Sequence, residues 1–495
     1  MYDRISPETS IHFFPNLSGD YNPSRESGVA AALIRIFNVY YPVRTLVLMS
    51  GEALMVLASL LMVTLLRCRE ESYLVLNFEN GYLQILAVTL LAMVVFYWVD
   101  LYPAPPVSPL GARGEILFQV LVSVGVLISA TGVVGMVVPS RGTRGMPVAI
   151  LLGSAVAAIA LPGWRRAYAW LCQQRFMQQR VYILGADERA RRLVQGLRDR
   201  PELGVHVVGW SGQLGSDPSR VTMAEHLLSV ATTRGAHRVI VALQDRRNAM
   251  PMPELLELRL QKAVNIEEAA TWLERISGKI EIAHLFPSWI IYGSGFRFTE
   301  PFRVARRIVN LVFATLALIL TLPLIPFVAL AIRMDSPGPV FYRQKRVGRN
   351  GRVFNCYKFR TMRENAEADC GPTWAGDADP RITRVGRILR MSRIDEIPQL
   401  WCVIRGDMGL VGPRPERPEF VEWLEREIPY YGMRHLVRPG ITGWAQVRYR
   451  YGNSLDDARE KLQYDLFYLK NASVALDAVI LFHTIKTVLL GRGAH

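Results

Sequence analysis

The sequence predicts a membrane α-helical bundle, an α/β Rossmann-like cytoplasmic domain, and a mainly helical membrane-associated domain with a broken apolar helix and a small β-hairpin. Three observations predict it. Four apolar stretches follow one another between residues 45 and 162, strands alternate with helices from residue 180, and a fifth apolar stretch containing two prolines precedes a basic hairpin. The unit boundaries fall at 1–43 for a polar opening segment, 44–165 for the bundle, 166–300 for the α/β domain and 301–495 for the last domain.

Composition bounds the function. The chain has 495 residues, enough for two or three domains each with its own core. Half of the residues are hydrophobic, the upper edge for a soluble protein, so part of the chain belongs in lipid. A formal net charge of +15 suits nucleic acid, anionic headgroups or phosphorylated substrates. Apolar spans beside that charge favour the last two, and no nucleic-acid partner is expected. Cys68, Cys172, Cys356, Cys370 and Cys402 form no CxxC, and the histidines show no zinc spacing, which argues against a disulfide scaffold and a structural zinc site. The opening segment is polar and is interrupted by Pro7, Pro15 and Pro23, so no cleavable signal peptide is expected in it.

The four stretches run Thr45 to Leu66, Tyr82 to Val99, Ile116 to Val138 and Met146 to Pro162. Each approaches or reaches the roughly 20 residues that cross a bilayer as a helix. Buried helices of a globular core are the alternative, but four in series with short connections are rare in soluble folds. Arg165, Arg166, Arg175 and Arg180 follow the fourth stretch and form the strongest basic cluster, which assigns the next domain to the cytoplasm. Glu52, inside the first span, is expected to face the bundle. No second intramembrane charge is apparent to give it a transport role.

From Arg180 the pattern changes. Val181 to Gly185, Val205 to Trp210 and Arg238 to Leu243 read as strands, with Asp187 to Arg200 as a helix. The turn Gly185-Ala-Asp187 places a carboxylate where a dinucleotide fingerprint has its second glycine, so Asp187 would repel a diphosphate. A nucleotide-sugar oxidoreductase is thereby disfavoured.

Ile308 to Ile332 is long enough to span but is interrupted by Pro323 and Pro326. Arg303, Arg306 and Arg307 precede it and Arg333 follows it, which suits a hairpin returning to its own face. These residues alone leave a kinked transmembrane helix open. Next come Val340 to Arg346 and Val353 to Phe359 around Asn350-Gly351, a strong hairpin signal. Most of its cations suit a solvated face on anionic headgroups. Lys358 and Arg360, on one side of a strand, are better candidates for phosphate contacts.

Arg381 to Met391 reads as an amphipathic helix, followed by a helix from near Asp395 to Arg405 with Pro398 in its first turn. A carboxylate at that start would be kept ionised by the helix dipole and free N–H groups, and could attack phosphorus; Glu396 could hold magnesium. A plain capping pair is the alternative. Val411-Gly-Pro413-Arg414-Pro415 and Arg438-Pro-Gly-Ile-Thr-Gly-Trp-Ala-Gln446 present arginines from stiff loops, suited to bidentate grips on phosphate.

With Asp335-Ser-Pro-Gly-Pro-Val340, Lys358-Phe-Arg-Thr-Met362 and Ile394-Asp-Glu-Ile-Pro-Gln-Leu400, these loops make five ordered motifs. By them the region from about Arg303 resembles the catalytic domain of the bacterial monotopic phosphoglycosyltransferases, or polyprenyl-phosphate hexose-1-phosphate transferases. The preceding half resembles, more loosely, the large exopolysaccharide or O-antigen members. The resemblance implies a re-entrant membrane helix over 303–334 broken at Pro323, with Leu322 in place of the family's serine, so that a hydroxyl able to satisfy freed carbonyls is missing. It implies Asp395 as nucleophile, Glu396 and Asp465 as magnesium-binding carboxylates (Mg2+, or Mn2+ in its place), and Arg390 on substrate phosphate together with Lys358, Arg360 and Arg438. Pro413, Arg414 and Pro415 would bind the uridine nucleotide. The implied reaction transfers hexose 1-phosphate, by analogy glucose or galactose, from a UDP-sugar to undecaprenyl phosphate through an aspartyl-phosphosugar intermediate. The implied setting is the bacterial inner membrane, with bilayer lipids as surroundings, cytoplasmic soluble domains and a homodimer. A non-catalytic scaffold or regulator of polysaccharide assembly is the alternative.

Overall fold

The computed structural model describes residues 33–489, except 100, 103–110, 138–144, 175–176, 216–218, 244–249, 262–263, 283–284, 286–294, 297, 365–378, 450–451 and 453. Most of the polar opening segment, Arg175 and Cys370 lie outside the described residues.

Helices Val43–Cys68, Gly81–Trp98, Gly111–Val137 and Gly145–Gln173 coincide with the four apolar stretches. Val56, Leu60, Val88, Phe96, Leu127 and Leu161 form their common core, while Leu54, Leu66, Leu90 and Ile159 face outward, the reverse of a soluble fold. Gly153 lets the fourth helix touch the first; a Cβ there would meet Leu60 Cα at 2.9 Å. The fourth helix runs past the expected Pro162 and carries Arg165 inside it. This corrects the expectation that Glu52 has no charged neighbour, because Arg165 Nη2 donates to Glu52 Oε2 at 3.1 Å and the carboxylate is fully buried. Positively charged flanks and helix ends look alike in a sequence, which is why the pair was missed.

In the α/β domain, strands Gln179–Leu184, Val205–Trp210, Arg238–Val241 and Asn265–Glu268 form a parallel sheet in which the first strand lies between the second and third, with the fourth at the edge. The fourth strand is polar and escaped the sequence reading. Alternation along the first strand feeds two cores: Tyr182 and Leu184 join Leu227 and Val239 on one face, and Val181 and Ile183 join Leu193, Ile240 and Trp272 on the other. Asp187 caps helix Glu188–Arg198, its carboxylate accepting from Ala190 N at 3.0 Å. The helix N-terminus where a diphosphate would sit is thus filled by the protein's own anion.

The units interlock. Arg44, at the start of the first span, donates to Met177 O at 2.6 Å beside the first strand of the α/β domain. At the end of the second span, Tyr97 O accepts from Lys486 Nζ at 3.3 Å, and Trp98 packs on Phe482 of helix Val474–Leu489. Lys470–Glu274 at 2.6 Å and Trp444 Nε1 donating to Gly278 O at 2.7 Å join the α/β domain to the C-terminal one.

The fifth apolar stretch is two helices, Glu300–Thr321 and Leu324–Asp335, separated by Leu322 and Pro323. Leu311, Val312, Leu316, Leu320, Phe327 and Leu330 are exposed along it. Pro323 offers no N–H to the preceding turn. The Ile319 carbonyl that Pro323 cannot serve accepts from Leu322 N at 3.3 Å, and in the same turn Thr321 Oγ1 donates to Ala317 O at 2.8 Å and lies 3.3 Å from Leu318 O. Both ends fasten to the same C-terminal domain. Arg306 donates to Asp477 Oδ2 at 2.8 Å, and Asp335 Oδ2 accepts from Val385 N at 2.9 Å.

Candidate active site

Strands Phe341–Val347 and Val353–Phe359 pair antiparallel, turning through Asn350 and Gly351, both at positive φ as the Asn-Gly signal demands. Helix Arg384–Met391 starts later than expected. Its N-terminus takes two caps, Thr383 Oγ1 accepting from Gly386 N at 3.0 Å and the Asp335 carboxylate accepting from Val385 N. The helix presses onto the strand end at Gly386, where a Cβ would lie 2.1 Å from Thr361 O. Arg390, on its last turn, donates through Nε to Thr361 Oγ1 at 2.9 Å.

The acid pair is placed differently from expectation. The second helix begins at Gln399, and Ile394–Glu396 form a separate 3₁₀ turn. Arg393, left-handed at φ 58°, reverses the chain just before it, a conformation that a bulky residue holds only under local constraint. Asp395 and Glu396 therefore project into the space between hairpin, helix and loops rather than capping a long helix, and they are 6% and 8% exposed. The electrostatic expectation changes with the geometry. Burial pushes the Asp395 carboxyl up, with Lys358 opposing and Glu396 reinforcing the shift. Glu396 goes the other way. Burial would raise it, but Lys358, Arg414 and Arg393 together hold it well below the usual carboxylate range. Lys358 Nζ lies 3.0 Å from Glu396 Oε1 and 3.8 Å from Asp395 Oδ2, and Arg414 Nη2 donates to Glu396 Oε1 at 2.9 Å. The two carboxylates are thus driven apart by environment, a fixed anion beside a titratable group.

Both arginine loops are brought together by a feature the sequence reading missed, a parallel ladder of Gly409–Val411 with Gly440–Thr442. Gly412, at φ 159°, permits the approach; a Cβ there would meet Arg438 O at 2.5 Å. The ladder puts Pro413–Pro415 beside Pro439, and a small cavity lined by Val347, Gly348, Arg414, Arg434 and His435 opens next to them. The candidate residues separate into groups. Lys358, Arg390 and Arg414 are the cations felt by Asp395. Arg438 stands elsewhere, half-buried, its pKa lowered first by burial and then by Arg307, Arg349 and Arg306. Arg360 is buried and holds the Ser336-Pro337 turn, donating through Nη2 to Ser336 O at 2.7 Å.

Asp465, on helix Leu455–Asn471, is 2% exposed and lies 3.0 Å from Arg434 Nη2. Arg434 had no motif to announce it. Among the described residues no three His, Cys, Asp or Glu side chains converge as a metal cage, so Asp465 does not join Asp395 and Glu396 around one point. Magnesium commonly uses one or two protein carboxylates and completes its shell with water and substrate phosphate. Glu396, ionised and buried beside Asp395, fits that partial donor set.

Residues 302–491 match the family described as bacterial sugar transferase. UDP-N-acetylgalactosamine-undecaprenyl-phosphate N-acetylgalactosaminephosphotransferase of Aeromonas hydrophila is 45% identical over 222 residues, covering 45% of this chain and 51% of that protein. UDP-glucose:undecaprenyl-phosphate glucose-1-phosphate transferase of Escherichia coli strain K12 is 30% identical over 343 residues, 66% of this chain and 71% of its own length. Exopolysaccharide production protein PSS of Rhizobium leguminosarum bv. phaseoli is 41% identical over 189 residues, 37% of this chain and 94% of that protein. The chain spans about half the length of the Aeromonas relative and most of the other two.

Proposed function

The chain belongs to the bacterial sugar transferase family, and from that premise we propose that it transfers hexose 1-phosphate from a UDP-sugar to undecaprenyl phosphate and releases UMP. The observation that carries the reading is the buried Asp395–Glu396 pair faced by Lys358 and Arg414. In its ionised form, an Asp395 oxygen attacks the sugar-bearing β-phosphorus. The bond from that phosphorus to the bridging oxygen breaks, UMP leaves with the electron pair, and a phosphosugar is left on the carboxylate. An oxygen of the lipid phosphate then attacks the same phosphorus, the acyl–phosphate bond breaks, and Asp395 is regenerated. Lys358 and Arg414 are positioned to offset negative charge on the diphosphate, with Arg390 and its Thr361 partner beside them. When bound at Glu396, Mg2+ would supply further charge neutralisation to the phosphate oxygens. By the family resemblance Pro413, Arg414 and Pro415, which border a small cavity, take the uridine end.

We further propose that the broken apolar helix is re-entrant and that all soluble parts share the cytoplasmic face. The contacts of Arg44 with the α/β domain and of Tyr97 with the C-terminal helix support one common face. The attachment of both ends of the broken helix to one domain supports its return. Release of UMP from a panel of UDP-sugars, with UDP-glucose and UDP-N-acetylgalactosamine first, tests the reaction in detergent with added undecaprenyl phosphate. Wild type releases UMP and Asp395→Asn loses at least about 10³-fold. Wild-type rates in a folded Asp395→Asn enzyme would sink the nucleophile assignment.

A further inference from the structure

The proposed reaction gives Asp465 no task beyond metal binding, and the geometry does not offer it that one. Its Oδ2 faces the Arg434 guanidinium at 3.0 Å. Arg434 is buried too, donating through Nη1 to Tyr431 Oη and through Nη2 to Arg414 O at 2.9 Å. The loop so gripped is unusual in its hydrogen bonding. Pro413 and Pro415 have no N–H, so the segment is held largely by its carbonyls, and each of the three accepts from a donor elsewhere. Gly440 N donates to Pro413 O at 3.0 Å, Arg434 to Arg414 O, and Arg346 Nη1 to Pro415 O at 2.9 Å. Arg346 is in turn paired with Glu416 at 3.5 Å. The side chain raised on this pedestal is Arg414, which reaches Glu396 at 2.9 Å.

We propose that Asp465 and Arg434 are positioning residues: their buried ion pair fixes the Pro413-Arg414-Pro415 backbone so that Arg414 stays on Glu396 and meets the diphosphate of the donor, and Asp465 is not a metal ligand. The inference rests on the transferase reading. Burial pushes the Asp465 carboxyl up to about 6, with Arg434 opposing and Glu416 reinforcing. Near neutral pH the group is therefore mostly the anion that Arg434 requires. To bind a cation Asp465 would have to surrender Arg434, whose side chain is only 7% exposed and would be left uncompensated in the interior, whereas the Arg414 partner of Glu396 is 26% exposed and can turn to substrate phosphate.

The test compares full-length wild type, Asp465→Asn and the neutral pair Asp465→Asn/Arg434→Gln. UMP release by wild type is measured first and reports on the transferase reading alone. Asp465→Asn then raises KM for the UDP-sugar roughly tenfold, while the Mg2+ concentration for half-maximal rate stays within about twofold of wild type. Mn2+ affinity, followed by electron paramagnetic resonance with UMP present, is unchanged. The double variant is no worse than the single, because both substitutions disable one device. Should Asp465→Asn fail to fold around an unpaired Arg434, the neutral pair removes that burden. Arg346→Gln, which frees the other end of the same loop, must then reproduce the rise in KM. A roughly tenfold weaker Mn2+ affinity with unchanged KM makes Asp465 a metal ligand and overturns the proposal. An active wild type with an unaffected Asp465→Asn, or multiplying effects in the double variant, overturns it equally.

Discussion

At Asp395 two effects of opposite sign meet. Burial and the neighbouring Glu396 favour its protonated form, whereas Lys358, Arg414 and Arg390 favour the anion that attacks phosphorus. Lys358 is the largest of the cationic influences, so it should control how much nucleophile is ionised. Replacing it by methionine keeps the stem and removes the charge, which raises the Asp395 pKa further. The acid limb of kcat/KM should then move to higher pH, and the deficit, about 10²-fold on the acid side, should shrink as pH rises. A pH–rate profile checks this; a uniform loss with an unmoved limb would mean that Lys358 serves substrate alone. The motif from Arg390 to Leu400 made the acid pair legible, because adjacent carboxylates before a proline and an apolar run are a local pattern. The direction of the Asp395 shift was not legible. It depends on a left-handed Arg393 and on covering side chains from the hairpin and the 413–415 loop, which no local pattern encodes.

At the scale of elements, the membrane helix is held at its root by a buried network. Arg306 bonds Asp477 and the carbonyl of Val411, and Tyr468 Oη donates to Asp477 Oδ1 at 2.7 Å. Burial pushes Asp477 up, and Arg306 is the cation opposing it. Arg306→Met should cost about 3–5 kcal/mol by leaving the carboxylate without its partner. Arg306→Met/Asp477→Asn should recover part of that loss. Chemical denaturation in detergent reads both, and equal stability of Arg306→Met and wild type would show that the network does not anchor the helix. The sequence marked the break in this helix at Pro323 and the cations at its root. It did not reveal that Leu322 N takes the carbonyl freed by Pro323 or that the Thr321 hydroxyl bonds within the same turn, since these partners appear only once the helix is built. Asp187 shows both sides: its carboxylate was readable from the sequence alone as an obstacle to diphosphate, whereas its role as the cap of the following helix emerged only with the structure.

Across the whole molecule, the contacts between units determine topology more firmly than the apolar stretches do. The start of the first span and the end of the second are on one face of the bundle. The first touches the α/β domain through Arg44, and the second touches the C-terminal helix through Tyr97 and Trp98. A chain that crossed the bilayer between residues 300 and 335 would carry the C-terminal helix to the opposite face, where neither Tyr97 nor Trp98 could reach it. These contacts support the proposal that the broken helix enters and leaves by the same face. Cysteine scanning in a background without native cysteines tests this with a membrane-impermeant maleimide on intact spheroplasts. Glu70→Cys, between the first two spans, should label from outside. Glu300→Cys and Lys345→Cys, on either side of the broken helix, should both label only after permeabilisation. Labelling of Lys345→Cys from outside while Glu300→Cys stays protected would make the segment a span. It would also separate the acid pair from the α/β domain by a bilayer, against the Lys470–Glu274 and Trp444–Gly278 contacts that join the two domains.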